Sequence, residues 1–475
     1  MIFLKETILN KLQDNPIVQQ MLQFGNNIGN LLSNEEALCL ASAFMQDKQT
    51  RIVVKKNRYE AQQLYQRLKP LINDTLLFVM EESLRVQAIA SSPEDKQEQL
   101  YVLTQLVKED KPRIIICNTA AFFRYLPDKE LFRNLCFKFE VDQEITMTEL
   151  KQKLNRAGYT KVNYVDRPCT YASRGGIVDV YCLEYDHPIR IEFFDTVIES
   201  IRIFHEETQR TIETIDSVFI NPATDLLFTD DQIEFLQKEI DSELEKQHKK
   251  LIQDDYDFLL DYIEKDKIAL ENYDIDPHLY IYFSYLNANQ FMDYVQGHII
   301  FSSQEEVENG YKKLNEETIS FIQEMVESHQ YLPKYSMFHD VFTFEKEHNI
   351  QMFHDFMDFK NPIFSKIETL EKSDQPLIQV LENLKGKTIY ISLDEEHTKK
   401  VEEALKAYSI HKNIIFIEDD FYEGFMYEDI SVYTQQELFH RPSQIKRYQK
   451  TFKQGQILQN ILELEPNDYV VHEQY

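Results

Sequence analysis

Glycine is scarce in this chain, ten in 475 residues, and the scarcity excludes most of the usual nucleotide sites. Such sites need backbone to approach phosphate with no Cβ in the way. Gly25, Gly29, Gly158, Gly175, Gly176, Gly297, Gly310, Gly386, Gly424 and Gly455 make neither G-x-G-x-x-G nor G-x-x-x-x-G-K-[ST]. Gly386-Lys387-Thr388 has the closing letters of a phosphate loop, but Leu381 stands where the first glycine should be and a strand follows, so it reads as a turn entering that strand. Cysteine is equally thin: Cys39, Cys117, Cys136, Cys169 and Cys182 contain no C-x-x-C pair, which excludes a disulfide framework and a zinc knuckle. The thirteen histidines show no H-E-x-x-H spacing, and no G-x-S-x-G occurs. No run of 18 apolar residues exists, and the opening MIFLKETILNKLQDN lacks a basic start before an apolar stretch. No membrane span and no signal peptide are therefore expected, and the address expected is cytoplasmic. Cations are also short, 51 Lys and Arg against 81 Asp and Glu, a net charge of −30 that repels a phosphate backbone and favours protein partners.

What is present describes a large globular protein. Hydrophobic residues at 43% and aromatics at 12% suffice for buried cores, and the length implies roughly three or four compact units. Residues 1–143 alternate helical and strand patterns: ALCLASAFMQ, RIVVKK, NRYEAQQLYQRLKPLI, LLFVM and RIIICNT, the last leading into a helix at AAFFRYL. Such alternation implies a parallel sheet covered on both faces. From 144 to 222 the texture changes. Thr146 and Glu149 stand at capping-box spacing before ELKQKLNRAGY, and three strand-like runs follow, GGIVDVYCL, IRIEFF and IESIRIF, giving a small antiparallel unit. Residues 223–355 read as acidic helices with charged, solvated faces, the helical second part of the first domain. Residues 365–440 restore strand-helix-strand order and read as a smaller α/β domain. In 441–475, Arg441, Lys446, Arg447, Lys450 and Lys453 form a basic stretch without an acid, read as a solvated linker.

The segment Tyr171 to Ala223, with R-G-G-I-V-D-V, then P-I-R-I-E-F-F, then E-S-I-R-I-F and Q-R, resembles the domain shared by the bacterial transcription-repair coupling factors (the Mfd family) and the excision nuclease subunit UvrB. Flanking segments resemble the coupling factors in particular. NRYEAQQLYQRL, the stretch Ala90 to Leu100 and RIIICNTAAFFRYLP are similar to their first domain, GFMYEDISVYTQQELFHRP to the end of their third, and LEPNDYVVHEQY to the opening of their RNA-polymerase-interacting domain. The resemblance implies a degenerate P-loop-NTPase-like α/β domain with an inserted small α+β UvrA-binding domain, followed by the small α/β domain. It implies UvrA as a partner, and RNA polymerase through the downstream domain. The ATP- and magnesium-dependent DNA translocase of the full-length family is expected beyond these residues, so DNA contact and catalysis are not expected here, nor any cofactor. The alternative is a UvrB-like ATPase. Against it, Asn30 to Ala37 reads NLLSNEEA, with Glu36 near the place of the phosphate-binding lysine, and the interval between Cys117 and Thr146 has no room for UvrB's DNA-gripping hairpin.

Strand alternation in IRIEFF sends Ile189, Ile191 and Phe193 to one face and Arg190, Glu192 and Phe194 to the other. The first set is the core face, which leaves Phe194 beside Arg190 on a charged face. Arg174 precedes Gly175-Gly176, where the chain can bend and present it. The resemblance implies that Arg174, Arg190 and Phe194 contact UvrA. The competing reading has Phe194 under a neighbouring loop and both arginines paired with local acids such as Glu192 or Asp195.

Overall fold

The computed structural model describes residues 2–24, 28–29, 31–82, 93–273, 276–354, 367–370, 375–418 and 421–439. The basic stretch and the polymerase-domain resemblance, both after residue 440, lie outside them, as do residues 90–92 of the stretch from Ala90 to Leu100.

The first strands are Ile28–Gly29 (β1), Arg51–Lys55 (β2), Thr75–Phe78 (β3) and Ile114–Asn118 (β4). β2 and β4 are buried along their whole length, as strands covered on both faces must be. Their alternation sorts the residues: Val53, Ile114 and Ile116 join a core under helices Ser33–Asp47 and Arg58–Leu68. Ile52, Val54, Ile115 and Cys117 join a second core with Phe122, Phe123 and Tyr311.

A separate unit interrupts this sheet after β4. Its strands are Phe137–Glu140 (β5), Thr160–Lys161 (β6), Thr170–Arg174 (β7), Ile177–Tyr181 (β8), Ile189–Phe194 (β9), Val197–Phe204 (β10), Thr211–Ile215 (β11) and Ser217–Ile220 (β12). Six of them form one sheet in the order β11-β10-β9-β8-β7-β6, antiparallel except for the β6–β7 pair. β5 and β12 pair antiparallel as a two-stranded ribbon where the chain enters and leaves the unit. Helix Met147–Arg156 starts with the expected capping box, Thr146 accepting from the Glu149 amide at 3.2 Å and Glu149 accepting from the Thr146 amide at 2.9 Å. Its Leu150 and Leu154 are fully buried in one core with Val178, Val180, Ile189 and Ile191.

The section after residue 223 is helical, with Asp230–His248, Gln253–Asn272 and Gln304–Glu327, but it also carries two strands, His298–Phe301 (β13) and Ile350–His354 (β14). They enter the first sheet, whose order is β1-β14-β13-β2-β4-β3 with every pair parallel. The acidic helices are thus the return path of an α/β domain. Among the described residues no helix is long and apolar enough to cross a membrane.

The last sheet is built from Glu368–Thr369 (β15), Thr388–Ser392 (β16), Ile414–Ile417 (β17), Phe425–Tyr427 (β18) and Ile430–Tyr433 (β19), in the order β15-β18-β19-β16-β17. Helix Glu395–Ala407 links the parallel pair β16 and β17. Gly386, at φ +111°, makes the turn into β16, in a conformation that side chains resist. Phe425, Ile430 and Val432 share a core with Ile8, Leu9 and Leu64 of the first domain. Across that seam Arg67 holds Glu423 with two nitrogens, at 2.8 and 2.7 Å.

Candidate functional site

Two tight turns place the expected residues at one end of the antiparallel sheet. Arg174 pairs with Ile177 across Gly175-Gly176, and Phe194 pairs with Val197 across Asp195-Thr196. Gly175 takes φ +54° with open space where a Cβ would be, while a Cβ on Gly176 would meet the Phe193 carbonyl oxygen at 3.0 Å. Positive φ at the first loop position suits a two-residue hairpin, and Asp195, at φ +58°, is one of the few side-chain-bearing types that tolerate it. The amide of Phe193 donates to Gly176 O at 2.8 Å and ties the two turns together.

The face opposite the core then reads directly from the alternation. Ile189 and Ile191 are fully buried, whereas Phe194 is 74% exposed. Arg174 is exposed, and its side chain carries no ion pair or hydrogen bond among the described residues. Arg190 is different. Its Nε and Nη2 donate to Asp179 Oδ1 and Oδ2 at 2.7 and 2.8 Å, Nη2 also donates to Gln209 Oε1 at 2.7 Å, and its Cζ lies 4.4 Å from the Phe204 ring centroid. The Asp179 hydrogen bond raises the pKa of this guanidinium further above its ordinary value, against the opposing effect of burial. Arg202 pairs with Glu192, which also accepts from Ser200 Oγ at 2.9 Å.

The structure therefore brings Arg174 and Phe194 to one sheet end as free surface groups and sets Arg190 on the same face as a paired group. The acids differ from those expected: Arg190 takes Asp179, and Glu192 belongs to Arg202. Asp179, Phe204 and Gln209 fall within the motif runs R-G-G-I-V-D-V, E-S-I-R-I-F and Q-R, but the sequence assigned them no role. A signal for Asp179 does exist, since in IVDVY it falls out of phase with the buried Val178 and Val180, but naming its partner requires the cross-strand register Asp179↔Arg190.

Residues 137–226 match the UvrB interaction domain family. Beyond that segment, the chain is 26% identical to the transcription-repair-coupling factor of Bacillus subtilis over an alignment covering 88% of this chain and 39% of the relative. The factor of Staphylococcus haemolyticus is 25% identical, with 93% and 40% covered. The chain is a homologue of the transcription-repair-coupling factors. It spans about two fifths of the length of these relatives. The UvrB interaction segment begins at β5 and ends just beyond β12, so it includes the whole antiparallel sheet and the candidate surface.

The position of Glu36 is the second place where chemistry was in question. It lies in the first turn of helix Ser33–Asp47, just after β1, and is 1% exposed. Its Oε2 accepts from Lys55 Nζ at 2.9 Å and its Oε1 from Ser302 Oγ at 2.5 Å. Lys55 ends β2 and Ser302 follows β13, so two strands of the parallel sheet and the helix Ser33–Asp47 meet on this carboxylate. Glu35, one residue before, bonds back to the Leu32 amide at 3.1 Å. Burial pushes the Glu35 carboxyl up and that hydrogen bond partly restores it.

Proposed function

We propose that this chain is a non-catalytic recruiting module that binds UvrA through the outer face of the 137–226 domain and brings it to stalled RNA polymerase in transcription-coupled nucleotide excision repair. The observation that carries the reading is Phe194, 74% exposed at a sheet corner beside an unpaired Arg174, within a segment that matches the UvrB interaction domain. An aromatic so placed gains little from folding and suits a partner's apolar socket, with an arginine beside it for a carboxylate. RNA polymerase contact and ATP-driven movement on DNA are read, by resemblance, as properties of the family's downstream domains.

The UvrB-like ATPase is the competing reading, and the Glu36 site weighs against it. A phosphate at the start of helix Ser33–Asp47 would displace or oppose a carboxylate already held by Lys55 and Ser302. These residues do not fit a nucleotide triphosphate, and no step through ATP is assigned to them.

The test is a calorimetric titration of purified UvrA against the wild-type chain, Arg174→Ala and Phe194→Ala, with melting curves for each. Truncating Phe194 should weaken binding by roughly 1–4 kcal/mol at an almost unchanged melting temperature. Wild-type affinity in both variants would refute the surface, and absence of binding by the wild-type chain would refute the recruiting role.

A further inference from the structure

Resting on the UvrA-binding reading above, we infer that Asp179, Gln209 and Phe204 are positioning residues whose task is to hold Arg190 in one pose with its Nη1 donors free for the partner.

A guanidinium has five N–H donors in a fixed fork. Asp179 takes Nε and one hydrogen of Nη2, and Gln209 takes the other hydrogen of Nη2. Nη1, with two donors, has no partner among the described residues. The three occupied donors are thus Nε–H and both hydrogens of Nη2, and the unoccupied pair is the two hydrogens of Nη1. Phe204, 1% exposed, supplies the floor: its ring under Cζ blocks rotation of the plane toward the sheet. Asp179 is 7% exposed and sits directly across from Arg190 on the neighbouring strand, so its carboxylate cannot follow the arginine elsewhere.

Gln209 is held just as firmly although it is exposed. Its backbone takes φ +58°, its amide donates to His205 O at 2.8 Å, and its Nε2 donates to Glu206 O at 2.8 Å, which turns Oε1 toward Arg190. The result is an arginine whose rotamer freedom is spent in folding rather than on binding. It also divides the work on this surface. Arg174 carries uncompensated charge and suits a carboxylate. Arg190, already neutralised by Asp179, suits carbonyl oxygens, which accept its two free donors without requiring a second negative charge.

A double-mutant cycle tests this, with purified UvrA as the probe and a melting curve for every variant. Asp179→Ala and Arg190→Ala should each weaken binding about tenfold, and the double variant should bind no more weakly than Arg190→Ala alone, because Asp179 acts only through that arginine. Gln209→Ala, in an exposed turn, gives the same reading where Asp179→Ala lowers the melting temperature: its loss should also vanish in the Arg190→Ala background. Arg190→Lys should not recover affinity, since an ammonium cannot make the fork. Losses that multiply in the double variants would overturn the positioning role, as would wild-type affinity in both Asp179→Ala and Gln209→Ala. If the wild-type chain binds no UvrA, the recruiting reading itself falls and this assignment with it, whereas normal wild-type binding with additive variants removes this assignment alone.

Discussion

Replacing Lys55 with methionine would leave Glu36 as a carboxylate 1% exposed, with a single hydroxyl, that of Ser302, to stabilise its charge. The ammonium it loses sits at 2.9 Å, and no other cation bonds to Glu36 among the described residues. Breaking a buried pair from one side costs about 3–5 kcal/mol, because the remaining charge keeps its desolvation penalty without its partner. Removing the whole constellation is another matter. Lys55→Met with Glu36→Leu and Ser302→Ala leaves no orphaned polar atom, and such replacements are close to neutral, so this triple variant should return to within about 1 kcal/mol of wild type. Glu36→Leu alone should fall between, since Lys55 keeps 10% of its side chain exposed and can lean its ammonium toward water. The chain has no tryptophan, so urea unfolding is best followed by far-ultraviolet circular dichroism, with hydrogen exchange of the β2 amides locating the loss. A cost under about 1 kcal/mol for Lys55→Met, or a triple variant as unstable as the single, would show that the pair does not hold these three elements together.

Ile191→Ala, fully buried, should cost about 2–5 kcal/mol, while Phe194→Ala on the same strand should stay within about 0.5 kcal/mol of wild type in the same urea titration; equal costs would contradict the assignment of the two faces. His278 should make stability depend on pH. Burial works against its charged form, but the hydrogen bond and charge of Asp266, at 2.7 Å, with help from Asp276, raise its pKa above the ordinary 6.5. Its contribution is therefore complete below about pH 6.5 and lost as pH rises through the higher folded value. Melting curves should show the gap between wild type and His278→Gln widening as pH falls, and a gap constant across pH would contradict this. Equilibrium dialysis of ATP against the wild-type chain should give no saturable binding, and micromolar affinity would revive the ATPase reading. Arg67→Ala should loosen the last sheet from the first domain and increase proteolysis between 421 and 439; an unchanged digestion pattern would show that the shared apolar core suffices.

Periodicity and capping made much of this architecture legible. The helix after Thr146 follows from two residues at the right spacing, and the faces of IRIEFF follow from alternation alone. β13 and β14 were illegible for a physical reason. HIIF and IQMFH are short, are buried on both sides of a sheet, and lie among long acidic helices, so neither period two nor a turn signal sets them apart. At the candidate surface, sequence could place Arg190 on a face but not choose its acid. Asp179, Glu192 and Asp195 are all close along the chain, and only the register of β8 against β9 decides.

The ribbon of β5 and β12 bears on the order in which the protein can assemble during synthesis. β2 lies between β4 and β13, and β13 leaves the ribosome only after the whole inserted unit. Until then the Ile52–Val54 side of β2 has no neighbour, an apolar strand edge open to wrong pairings. The inserted unit can close first, because its two ends are already adjacent: β5 lies against β12, and the Ala223 amide reaches Ala157 O at 2.7 Å. Once closed, it short-circuits the connection between β4 and β13. Since each doubling of a loop costs only about 0.6 kcal/mol, carrying this passenger hardly affects the finished fold. Its burden falls on timing, and translation arrested before residue 298 should yield a nascent chain that holds a complete antiparallel sheet beside an unfinished parallel one.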